Sequence, residues 1–115
     1  MSQGWRGEVW LVLLGKPLGH EQAGARPAVM LQTDDLRHLS TAVIVPLTSQ
    51  QKRAGFANTV FLPEGEAGLD QPSVALCHQI CVLDRRKLVR KLGELTAEKV
   101  SEIEAAVSFV LGLPT

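Results

Sequence analysis

A small, mainly β barrel crossed by one C-terminal helix is the fold that this 115-residue sequence predicts. Three observations carry it. Through the first ninety residues, short apolar runs are broken by Gly, Pro, Asp and Asn, the punctuation of strands joined by turns. The period then changes, and Val100, Ile103, Val107, Val110 and Leu111 recur at helical spacing. The length suffices for one hydrophobic core and is too short for two, so residues 1–115 are expected to form a single domain.

The elements follow in order. GEVWLVLL (7–14) mixes alternating and continuous apolar character and is expected to be a strand buried on both faces. A glycine-rich loop, 15–26, leads to the strand PAVMLQT (27–33), and DDLRHLS is a polar turn or a single helical turn. TAVIVPLT (41–48) is a fully apolar strand in which Pro46 should mark an edge or a bulge. SQQKRAGFA (49–57) is a second polar loop, carrying Lys52, Arg53 and Gly55. NTVFLP (58–63) is a strand, PEGEAGLDQP a long turn-rich connection, SVALCHQICVLD (73–84) one or two strands, and KLVRKLGEL a last strand. Thr96 then suits a helix N-cap, with Leu95 placed for a hydrophobic staple against Val100 and Glu98 at the positive end of the dipole. Gly112 and Pro114 end that helix.

Hydrophobic residues make up 45% of the chain and charged residues 21%, an ordinary globular balance. No apolar run approaches the roughly 20 residues of a membrane span. The N-terminus lacks the layout of a secretory signal, so a cytoplasmic protein is expected. Net charge is zero, so charge over the whole molecule gives no argument for nucleic acid. The exception is DRRKLVRK (84–91), with five positive charges against one negative. It reads equally as a solvated strand edge, where basic side chains discourage pairing, or as a phosphate-facing patch.

The two cysteines lie in CHQIC, as Cys77 and Cys81. Structural zinc wants four such ligands, and no second Cys/His pair follows. On a continuous strand the two sulfurs would lie about 13 Å apart at roughly 3.3 Å per residue. That is too far for a disulfide, so both are expected to be small buried hydrophobes. Trp5 and Trp10 are likewise expected in the core.

The stretch GHEQAGARP (19–27) holds the chemistry-bearing residues. Its spacing excludes several sites. HEQAG is not a two-histidine zinc motif, because Gly24 stands where the second histidine would be; no Gly-Lys-Ser/Thr follows for a phosphate loop; no Gly-x-Ser-x-Gly elbow exists. What remains is a loop bearing His20, Glu21, Gln22 and Arg26, whose glycines let backbone approach a ligand. The plain alternative is a Glu21–Arg26 surface ion pair, worth about 0–1 kcal/mol.

Four blocks, RGEVWLV (6–12), GHEQAGARPAVML (19–31), VIVPLTS (43–49) and SVALCHQICVLD (73–84), resemble the MazF/PemK family in order and spacing. The likeness runs through the final helix. It implies an SH3-like barrel of the MazF/Kid/CcdB type and a homodimer. It also implies a toxin ribonuclease that cuts single-stranded RNA without metal or other cofactor and is blocked by the tail of a MazE-like antitoxin. Arg26 and Thr48 match the family's usual catalytic positions, Glu21 its glutamate, and Gln79 a glutamine that contacts RNA; some members carry a histidine at His20. The sequence departs from the family at Leu13, where an aspartate is frequent, and at Cys81, where an arginine is frequent. Some members also place an arginine and an acid at the positions of Leu76 and His78.

RNA can be cut without metal because its own 2′-hydroxyl attacks the adjacent phosphate. The enzyme then needs a base, an acid and positive charge beside the pentavalent phosphorus. Arg26 suits the last task and is a poor base, since a guanidinium rarely gives up its proton. His20 and Glu21 are therefore the acid–base candidates, and Thr48 a donor to a nonbridging oxygen. Gln22, Gln50, Lys52, Arg53, Gln79, Arg85 and Arg86 are expected to contact RNA, with unstacked bases read by hydrogen bonds. The alternative within the same fold is a non-catalytic, CcdB-like toxin that poisons a protein such as DNA gyrase.

Overall fold

The computed structural model describes residues 5–14 and 24–114. Among the described residues seven strands form one antiparallel sheet: β1 (Glu8–Leu13), β2 (Ala25–Met30), β3 (Thr41–Thr48), β4 (Thr59–Leu62), β5 (Ser73–Leu76), β6 (Cys81–Asp84) and β7 (Leu88–Glu94). A 15-residue helix, α1 (Ala97–Leu111), follows. The strand order is β4-β5-β3-β2-β1-β7, with β6 also on β3. Register shifts between β1 and β7 curl that side of the sheet. Its two end strands lie under different covers, since α1 packs on β4 and the turn at Glu66–Gly68 packs on β7.

Burial explains the strand pattern. Val9, Val29, Val45, Leu47, Leu62, Ala75 and Cys77 point into one core cluster, closed by Leu95, Ile103 and Ala106 from the helix segment. Trp5, Val12, Ala28, Met30, Ala42, Ile44 and Leu83 form the other. β3 contributes to both faces, which is why TAVIVPLT reads as a continuous apolar run. Trp5 is buried and Trp10 packs against its cluster, the two rings meeting edge to face at 6.4 Å. Arg37 and Arg85 lie over the Trp5 ring at 5.1 and 5.0 Å.

Several expectations are corrected. β1 is not buried throughout: Val9 and Val12 are, but Leu13 at its end is 41% exposed. Pro46 marks neither an edge nor a bulge, because β3 is the most heavily paired strand of the sheet. It pairs with Ala28 on β2, and on its other side falls between the ladder to β6, which ends at Ile44, and the ladder to β5, which begins at Leu47. A missing N–H breaks no recorded pair there. The block 73–84 is two strands separated by a 3-10 turn at Cys77–Gln79. Cys81 therefore starts a new strand and is exposed, whereas Cys77 is buried as expected, and burial pushes its thiol up to about 11.

The C-terminal reading holds closely. Thr96 Oγ1 accepts from Lys99 N at 3.3 Å, and Gly112, at φ 69°, takes the left-handed cap. Leu95 and Val100 share one cluster, with Ile103, Val107 and Val110 following on the same face. Leu111 does not belong to that face and is exposed.

Candidate active site

Pairing of β2 with β3 sets Ala28 opposite Pro46. The paired ladder ends there, with Arg26 two residues before Ala28 on β2 and Thr48 two residues after Pro46 on β3. On the other flank of β3, Thr48 pairs with Val74 of β5. The three strand ends and the connection entering β5 enclose a cavity of about 440 Å³. Arg26, Pro27, Thr48, Gln50, Asp70 and Ser73 are among its lining residues.

Thr48 is only 8% exposed, held at the strand end rather than loose in a loop. Its Oγ1 accepts from Gln50 N at 3.2 Å, and a hydroxyl that accepts one bond keeps its own proton to donate. Gln50 opens the 3-10 turn Gln51–Arg53. Gln51 fastens that turn across the cavity rim, donating from Nε2 to the carbonyls of Ser49 (3.1 Å) and Pro72 (3.0 Å). Lys52 and Arg53 follow in this turn, without lining the cavity.

The sequence-predicted residues therefore divide. Arg26, Thr48 and Gln50 converge on the cavity. His20, Glu21 and Gln22 lie outside the described residues. Gln79 is exposed on the turn before β6, beside His78, whose Nδ1 meets Asn58 Nδ2 at 2.7 Å. Leu76, one of the positions where the resemblance departs, is buried in the core. Leu13 pairs with Ala25, next to Arg26, so this departure stands beside the cavity.

The basic run does not join the cavity. Arg85 N bonds the Ser40 carbonyl, and Asp84 pairs with Thr41, at the opposite end of β3 from Thr48. Those ends are about 23 Å apart at roughly 3.3 Å per residue. Most of the run is also engaged. Arg85 caps the carbonyls of Arg37 and Leu39 while stacked on Trp5. Arg86 pairs with Asp84 at 3.0 Å. Lys91 reaches Glu94 at 2.8 Å and the buried Glu8 at 3.2 Å, whose other oxygen accepts from Trp10 Nε1. These partners hold Lys91 above its ordinary range, Glu94 most of all. The run opens the terminal strand β7, so the solvated-edge reading describes it best. Sequence reasoning missed Asp70, Gln71 and Ser73 as cavity residues, since nothing in a turn-rich connection shows which loop it folds beside.

A curled antiparallel sheet backed by a C-terminal helix is the fold of the MazF toxins that this chain resembles. The chain belongs to the family described as PemK-like, MazF-like toxin of type II toxin-antitoxin system, which it matches over residues 5–111. It is 37% identical over 111 residues to the Endoribonuclease MazF of Staphylococcus saprophyticus, covering 96% of this chain and 92% of that one. An endoribonuclease in complex with its cognate antitoxin, from a mycobacterial species, superposes with a TM-score of 0.79 at 26% identity, covering 96% of both chains. The MazE–MazF complex of Deinococcus radiodurans gives a TM-score of 0.71 at 26% identity over 95% of both.

Proposed function

We propose that this toxin is a sequence-specific, metal-independent endoribonuclease that cuts single-stranded mRNA, leaving 2′,3′-cyclic phosphate and 5′-hydroxyl ends and arresting translation and growth. The observation that carries the reading is that Arg26 and Thr48, from the neighbouring strands β2 and β3, line one cavity. Similarity to a protein named as an endoribonuclease supports it. The guanidinium offers a planar fork to two phosphate oxygens and stays charged, so it stabilises the pentavalent state. The Thr48 hydroxyl donates to a nonbridging oxygen. His20 and Glu21 share the proton transfers: one takes the 2′-hydroxyl proton as that oxygen bonds to phosphorus, and the other protonates the departing 5′-oxygen. Gln50 reads a base at the rim, and Gln22, Lys52, Arg53 and Gln79 extend the RNA contact outward.

The whole chain acts as one domain, in the cytoplasm, as a homodimer. The exposed Phe56 and Phe109 (62% and 64%) flank an apolar groove between α1 and the loop before β4, which supports burial against a second copy. Some solved neighbours are complexes with an antitoxin or MazE, which supports control by a MazE-like tail folding over the RNA site. Incubating the purified chain with a long RNA in EDTA tests the reading. Cleavage to cyclic-phosphate ends is the expected result. Intact RNA under all conditions would overturn it and favour a CcdB-like action on a protein target.

A further inference from the structure

We propose that Asp70 selects the base bordering the scissile phosphate, and that this base is guanine; the proposal rests on the ribonuclease reading above. Asp70 lines the same cavity as Arg26 and Thr48. Arg26 comes to the cavity from β2, on one flank of β3, and Asp70 from the connection into β5, on the other flank. The backbones of the two flanking strands are about 10 Å apart, two inter-strand spacings. This suits one nucleotide laid across the strand ends with its phosphate at Arg26.

The segment holding Asp70 is fixed. Leu69 before it is buried, and its carbonyl accepts from Gly65 N at 2.8 Å. After it, the Pro72 carbonyl is held by Gln51, and Ser73 Oγ donates to the Gln71 carbonyl at 3.2 Å. An exposed carboxylate on an ordered rim is a preorganised acceptor.

A second phosphate beside Asp70 would be repelled, so the part of the nucleotide that enters there is the base. A carboxylate only accepts hydrogen bonds. Among the four bases, guanine alone presents two adjacent donors, N1–H and the N2 amino group, on its Watson–Crick edge, matching both carboxylate oxygens. Uracil offers one N–H between two carbonyls; adenine and cytosine each offer an amino group beside an acceptor nitrogen. The Gln50 and Gln71 amides, which line the same cavity, can donate to guanine O6. Unpaired bases are read on this edge.

The test is cleavage of an RNA pool with randomised positions, sequencing the new ends produced by wild type and by Asp70→Asn, each shown folded by circular dichroism. Wild type should enrich guanine at one position bordering the cut. Asp70→Asn should lower that preference on the order of tenfold to a hundredfold. Its amide has one acceptor and one donor and should shift the position toward adenine or cytosine. Other positions should keep their profile. Cleavage with an unchanged profile, or no guanine preference in wild type, overturns the proposal alone. A folded variant that cuts nothing makes Asp70 part of the chemistry and overturns it as a base selector. A wild-type chain that cuts no RNA overturns the ribonuclease reading, and this proposal with it.

Discussion

The Asp84 carboxylate accepts from Arg86 N at 2.8 Å and from the Arg86 guanidinium at 3.0 Å through both oxygens. The side-chain bond to Arg86 is the largest influence in holding Asp84 at about 2, below the ordinary 3.8. A depressed folded value means that its stabilising effect is fully present above pH 3.8 and is lost as pH falls through about 2. Both partners are solvent-facing, so the effect on stability is small, but the titration itself is measurable. Following the Asp84 carboxyl carbon by NMR should give a midpoint near 2, moving up toward 3.8 in Arg86→Ala; an ordinary midpoint in the wild type contradicts the pair. At this same scale the sequence was informative where a residue sat inside a spaced block. Arg26 and Thr48 could be named because both fall in blocks that resemble the MazF/PemK family, at the positions that resemblance makes catalytic. Asp70 carried no such mark, because its role depends on a loop about twenty positions earlier folding beside it.

Among the elements, the turn at Glu66–Gly68 decides where the cavity's acidic rim stands. Gly68 has φ 76°, and a Cβ there would collide with the Leu92 carbonyl oxygen of β7. Gly68→Ala should cost about 1–3 kcal/mol through backbone strain alone, and more where the clash moves β7. Thermal denaturation should show that loss; an unchanged midpoint would mean the turn relaxes freely. Elements whose signal is local were legible: the apolar alternation of the strands, the Thr96 cap and the Gly112 stop. Elements whose boundaries are set by partners were not. Nothing local distinguishes one strand across 73–84 from two, because the break at Cys77–Gln79 is imposed by β3 changing partners from β6 to β5. Pro46 misled for the same reason, since its missing N–H falls between those two ladders. In β7, Lys91 turned out to serve a buried carboxylate on β1, a contact 83 positions apart in sequence.

For the molecule as a whole, charge and apolar surface are segregated. The cavity holding Arg26 and Thr48 sits at one end of β3 and the basic turn at the other. Within one chain, RNA spanning both would need to run the length of that strand. The apolar groove beside Phe56 and Phe109 is a third, separate feature. Its exposure predicts self-association, and light scattering at micromolar concentration should report about twice the mass of one chain. A monomer under those conditions would argue against a groove shared between subunits. The fold class was accessible from the sequence because period and punctuation are local; the separation of the basic run from the cavity was not, because it follows from how the sheet is ordered.

The central claim is that Arg26, which shares a strand-end cavity with Thr48, stabilises the phosphorane during RNA cleavage. Initial cleavage rates of a defined single-stranded RNA, for wild type and for Arg26→Ala shown folded by circular dichroism, test it most directly. Loss of one preorganised stabilising donor predicts a rate lower by roughly 10²–10³ in the variant. A folded Arg26→Ala protein that cuts the RNA at the wild-type rate would contradict it.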